Sequence, residues 1–290
     1  MKTNKKAVVF YEPLIVLGFF VALTTGILLT LSNARTTLDK PVGKTAVELL
    51  QQTYGAESDL FYLDQAASYA AKDAVFELGA NSFQMASSSY SCNSEQLPAA
   101  LQIAEIPKMQ EIAATLIKIT KRNLDGYISQ NPLQSQMGYW LKNTDYEFYA
   151  EANPLKISGI AVQPAEIGIF AGEGENRARL GDYYLKPSFT AEINYDLNVY
   201  DRIKKGVAEL NNAALDYVDA EEQLITDTLK TKAAELNQNQ QELVWEISKA
   251  EGQEKVYAFK ITQNIAIPLC SQKPVIQFKM KIPSALEVSA

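Results

Sequence analysis

The side chains that could do chemistry are few, and their types narrow what the chain can catalyse. There is no histidine among its 290 residues. That removes Ser-His-Asp and Cys-His nucleophilic catalysis, histidine-ligated zinc and imidazole acid–base work. The two cysteines, Cys92 and Cys270, cannot build a cysteine-rich metal site. As an even pair in a region read below as exported, they suggest one disulfide tying the helical half of the chain to its final strands. Closing so long a loop would contribute about 4–5 kcal/mol in the chain-entropy account. The alternative is two buried free thiols, because nothing in the sequence sets their distance.

Carboxylates remain. Asp216, Asp219, Glu221 and Glu222 cluster on a helix, and such clusters are ordinarily a solvated face rather than an acid–base pair. Neither they nor Glu173 with Glu175 match the spaced oxygen ligands of a calcium loop. Gly172-Glu-Gly174 lacks the strand–helix setting of a dinucleotide loop, and no glycine-rich phosphate loop ending in Lys-Ser/Thr occurs. The residues therefore point to no catalytic site, no metal site and no cofactor. An enzyme using carboxylates or a Ser-Lys pair ranks behind two non-enzymatic readings. Among the 15 tyrosines, Tyr183, Tyr184, Tyr195, Tyr200 and Tyr217 crowd around one strand and the helix after it. Gathered on a face they would bind sugar or a protein partner; those in phase with the strand fit core packing.

The elements that would position these groups follow from periodicity. Leu60, Leu63, Ala67, Ala70, Ala74 and Leu78 form one stripe and predict a helix over 44–78, packed closely on another helix. A serine-rich loop holding Cys92 follows, and Met109, Ile112, Ala113, Leu116 and Ile117 predict a second helix over 106–128. The period then changes to two. From Tyr183 to Leu197 every second residue is apolar, apart from Pro187, which predicts one long strand with an edge or bulge at that proline. Shorter strands are expected over 155–162 and 166–170. Helix returns over 200–236, and strands close the chain over 243–248, 255–262 and 275–282, the first two joined as a hairpin. Helices and strands in blocks predict an α+β fold: an N-terminal transmembrane helix, a helical segment, then a mainly antiparallel sheet with a long helical insertion. No internal repeat or low-complexity segment is evident.

The transmembrane expectation rests on the N-terminus. Lys2, Lys5 and Lys6 precede an uncharged run of 22 residues, 13–34, long enough to cross about 30 Å of hydrocarbon as a helix. A secretory signal has a shorter apolar region, although Ser32-Asn33-Ala34 keeps a cleavable signal open as an alternative. Flanking charge places residues 1–12 in the cytoplasm, 13–34 in the cell membrane and 35–290 outside, with possible subdomains at 44–130 and 145–290. Gly18, Ala22 and Gly26 line one face at four-residue spacing, the small-residue pattern that lets another helix approach.

Lys5-Lys6-Ala7-Val8-Val9-Phe10-Tyr11-Glu12 resembles the class III signal of type IV prepilins, including archaeal pilin-like proteins. The resemblance covers about 30 residues. It implies cleavage after Ala7, Val8 as the first mature residue, and Glu12 as the acidic fifth position, placed to pair with a neighbouring subunit's amino terminus. The alternative is an ordinary signal anchor whose Glu12 sits at the membrane interface.

The net charge is −7, and residues 1–32 carry three lysines and one glutamate, +2, so the remainder carries −9. Acidity of this size argues against nucleic acid as a partner. No Asn-x-Ser/Thr sequon occurs. The exported residues can bury a sizeable core, as one larger domain or two small ones. Together these features predict a single-pass, membrane-anchored surface or envelope protein. Its partners would be the lipid bilayer and either further copies of itself or other envelope proteins. The rival expectation is a monomeric anchored module that binds a carbohydrate or a protein.

Overall fold

A computed structural model describes residues 24–25, 42–85, 90–94, 96–130, 141, 143–171, 178–215, 217, 222–239, 241–253 and 255–282. Among them are four helices and three antiparallel sheets, an α+β architecture. The expected transmembrane helix is corrected. No helix of the described residues is long and apolar enough to cross a membrane. Of the apolar run only Thr24 and Thr25 are described, both helical and exposed. The long helix that is present, α1 (Val42–Ala80), carries Asp59, Asp64, Asp73 and Glu77, charges that hydrocarbon would not accept.

The chain divides into two compact units, Met1–Tyr54 with Gly168–Asp182, and Gly55–Ile167 with Tyr183–Ala290. In the first, Val47, Leu49, Leu50 and Tyr54 of α1 stand exposed. The second unit holds the core. There α1 buries Leu63, Ala67, Ala70, Ala74 and Leu78, small side chains that bring a second helix close. That helix is α2 (Met109–Ser129), started by Glu111, whose Oε2 accepts the Lys108 N–H at 3.2 Å. It runs antiparallel to α1. Leu124 and Ile128 meet Leu63 and Ala67, while Ile112, Leu116 and Ile119 share a core with Ala74 and Leu78.

Helix α1 ends in two left-handed residues, Ser82 and Phe83 (φ 56° and 66°). Packing and hydrogen bonds hold this costly geometry. Ser82 Oγ accepts the Leu101 N–H at 2.9 Å, and the Phe83 N–H donates to the Leu78 carbonyl at 2.9 Å. The Phe83 ring sits between Tyr200 and Phe278 at centroid distances of 5.5 and 5.8 Å.

The first sheet has the order β1–β2–β5, from β1 (Tyr146–Ala152), β2 (Leu155–Ala161) and β5 (Ser188–Ile193). Gly159 of β2 faces Phe189 of β5, and a Cβ there would lie 2.2 Å from the ring, so glycine is required by close approach. The second sheet pairs β3 (Ala165–Ala171) with β4 (Ala178–Leu185). The third is a meander of β6 (Leu243–Lys249), β7 (Val256–Gln263) and β8 (Val275–Lys281). A helical pair, α3 (Val199–Leu215) and α4 (Glu222–Asn239), covers it. The Asn237 amide binds both backbone groups of Trp245, accepting its N–H at 2.6 Å and donating to its carbonyl at 3.2 Å.

Three sequence expectations are revised. The long strand over 183–197 is two strands in different sheets, because Pro187 has no N–H to donate and the chain leaves β4 there. Beyond β5 the alternation persists without a ladder, with Tyr195 and Leu197 buried and the Leu155 N–H donating to the Tyr195 carbonyl at 2.8 Å. The helix over 200–236 is two, ending at Leu215 and restarting at Glu222. Finally, β1 was not anticipated, and the strands form three sheets rather than one.

Candidate functional site

Cys92 and Cys270 form a disulfide with Cα atoms 5.3 Å apart across 178 residues of sequence. It joins the segment after α1 to the loop before β8. Around it, the Ser271 N–H donates to Asn93 Oδ1 at 3.0 Å and the Tyr90 hydroxyl donates to Gln272 Oε1 at 3.3 Å.

The bridge also fixes one wall of a polar cleft between α1 and α2. The Cys92 N–H donates to Asp73 Oδ1 at 2.9 Å, and the Tyr127 hydroxyl donates to Asp73 Oδ2 at 2.6 Å. One turn along α1, Glu77 is fully buried and pairs with Arg122 of α2. Arg122 also donates to Asn123 Oδ1 at 3.2 Å. Tyr62 completes the helix contact, its hydroxyl donating to the Tyr127 carbonyl at 2.8 Å. Asp73, Arg122, Asn123, Gly126, Tyr127 and Gln130 line most of a cleft of about 390 Å³.

Burial pushes the Glu77 carboxyl above its ordinary range, opposed by the hydrogen bond and charge of Arg122. Burial raises the Tyr127 phenol as well, with Asp73 beside it adding to the shift. The cleft is thus lined by one carboxylate, Asp73, and one guanidinium, Arg122, with the fully buried Glu77 as the partner of Arg122. Such an array can bind and orient a ligand. Its one hydroxyl nucleophile, Ser91, accepts the Asn93 N–H at 3.2 Å and has no histidine to activate it.

The residues singled out from sequence lie elsewhere. Ala7, Val8, Glu12, Gly18, Ala22 and Gly26 fall outside the described residues, as do Glu173, Glu175, Asp216, Asp219 and Glu221. Glu222 is structural. It accepts from Lys249 Nζ at 2.6 Å and from the Lys255 N–H at 3.3 Å, tying the start of α4 to the β6–β7 hairpin. The Lys249 hydrogen bond holds its carboxyl below the usual range. The tyrosines do not gather on one face. Tyr183, Tyr184 and Tyr217 are exposed, whereas Tyr195 and Tyr200 are core residues with centroids 6.4 Å apart. Burial pushes the Tyr195 phenol up to about 12. Among the described residues no group of three or more His, Cys, Asp or Glu side chains is placed to hold a metal.

Sequence reasoning missed the cleft itself. The available signal was Asp73 and Glu77 one turn apart beside the alanine stripe, since charges so near a buried face need partners. No family model matches the chain, and comparison with curated proteins and with solved structures finds no match.

Proposed function

We propose that this chain is a non-enzymatic, exported surface or envelope protein that assembles with further copies of itself through its N-terminal helical part. The observation carrying this reading is the apolar face on the first turns of α1. Leu50 and Tyr54 are 68% and 76% exposed there, with Val47 one turn before Leu50. An apolar face of this kind on a helix is a contact surface awaiting a partner. The occupant in this reading is a second copy, because the same chain carries, ahead of this face, an apolar run with Gly18-Ala22-Gly26 at the small-residue spacing that suits helix–helix contact. Export is supported by the Cys92–Cys270 disulfide, a bond that persists in oxidising compartments, and by the basic N-terminus followed by the apolar run. The absence of histidine from the whole chain favours a structural role over catalysis.

Two measurements test the reading. Intact mass of the protein isolated from its membrane fraction should show a chain beginning at Val8; a retained leader removes the prepilin-like processing. Sedimentation velocity should show oligomers that dissociate in a Leu50→Lys, Tyr54→Lys double variant. Unchanged sedimentation of that folded variant would remove the assembly face.

A further inference from the structure

We propose that the α1–α2 cleft binds an uncharged saccharide, with Asp73, Arg122 and Asn123 as its polar wall and Gly126 as the gap into which the ligand settles. The site is built before any ligand arrives. Both Asp73 oxygens are held, one by the Cys92 N–H at 2.9 Å and the other by the Tyr127 hydroxyl at 2.6 Å. A carboxylate offers about four lone-pair positions, so each oxygen keeps capacity to accept a ligand hydroxyl. Anchoring by the disulfide segment keeps that carboxylate from rearranging, which lowers the ordering cost of binding.

Gly126 of α2 is one of the residues that line the cleft. Glycine is the least favourable helix residue apart from proline, yet it lies within α2. A Cβ added there meets nothing within 4 Å, so packing among the described residues does not call for glycine. Because Gly126 lines the cleft, a bulky side chain placed there would occupy its volume, whereas a methyl group would not. The volume, about 390 Å³, lies within the range of roughly 300–1,000 Å³ typical of small-molecule sites.

Charge and polarity select the class. The charged lining is one carboxylate, Asp73, against one guanidinium, Arg122, and Arg122 is paired with the buried Glu77, so the cleft has no excess positive charge to hold phosphates or carboxylates. Amides at Asn123 and Gln130, the Asp73 acceptor and the amphipathic rings of Tyr90 and Tyr127 match a ligand that is rich in hydroxyls and uncharged. This site shares no residue with the proposed assembly face, and self-association and sugar binding are read by different measurements.

The test uses the full chain, isotope-labelled, titrated by NMR with cellobiose, maltose and diacetylchitobiose, and with inorganic phosphate as the charged comparison. At least one disaccharide should bind with millimolar or tighter affinity and shift the amides of Asn123, Gly126 and Gln130. Gly126→Phe should weaken that binding by about ten-fold or more at an unchanged circular dichroism spectrum, while Gly126→Ala retains it. The proposal is overturned if none of the three sugars binds, if the shifts fall away from α2, or if phosphate binds there better than the sugars. It is also overturned if folded Gly126→Phe binds as the wild type does. Should Gly126→Phe not fold, the location of the wild-type shifts decides the matter.

Discussion

Glu77 shows how a single buried charge gives this fold a pH dependence. Its carboxylate is removed from water between α1 and α2, and desolvation outweighs the favourable Arg122 contact, so its folded pKa stands above the unfolded value. A folded state that holds the proton more tightly than the unfolded chain is favoured at low pH. This group's contribution is therefore present below the unfolded pKa and is lost as pH rises through the raised one. Urea midpoints measured from about pH 4 to about pH 7 should show the wild type losing stability relative to Glu77→Gln as pH increases. A constant difference across that range would mean that the Glu77 pKa is not raised. The sequence carried part of this site: Asp73 and Glu77 sit beside the alanine stripe that predicts α1. The partner at position 122 was not legible, since nothing local to α2 says which charge will face it.

At the scale of elements, the disulfide is the feature the sequence indicated and the structure placed. It ties the residues after α1 to the loop before β8, and through the Cys92 N–H it also orders Asp73. Bridging 178 residues removes much of the unfolded chain's freedom, and replacing both cysteines with serine should cost about 4–5 kcal/mol. Denaturant unfolding with and without dithiothreitol measures this, and equal midpoints would contradict it. Helices α1 and α2 were readable because each keeps an apolar stripe at helical spacing over many turns. Strand β1 was equally periodic, with Tyr146 and Phe148 turned toward the core and Glu147, Tyr149 and Glu151 alternating against them, yet its short run did not stand out. The strand around Pro187 misled in the other direction. Alternation records which side is buried and is blind to which neighbour a strand pairs with, so a change of sheet at the proline leaves the pattern intact.

At the scale of the whole molecule, the proposed self-assembly would have to act against charge. The chain carries a net −7, and like-charged copies repel at low ionic strength. If the apolar face of α1 drives association, self-association should strengthen as salt rises from about 0.01 M to about 0.15 M, where the screening length falls from roughly 30 to 8 Å. Sedimentation velocity across that series is the measurement, and oligomers that dissolve with added salt would indicate ion pairing instead. The amino-acid sequence by itself determined the absence of imidazole chemistry, the acidic net charge and the helical and extended periods. These follow from composition and from near neighbours in the chain. Tertiary structure alone decided the division into three sheets, the Glu77–Arg122 pair and the cleft above Gly126. Each depends on residues far apart in sequence being brought within a few ångströms, and local periodicity holds no information about that distance.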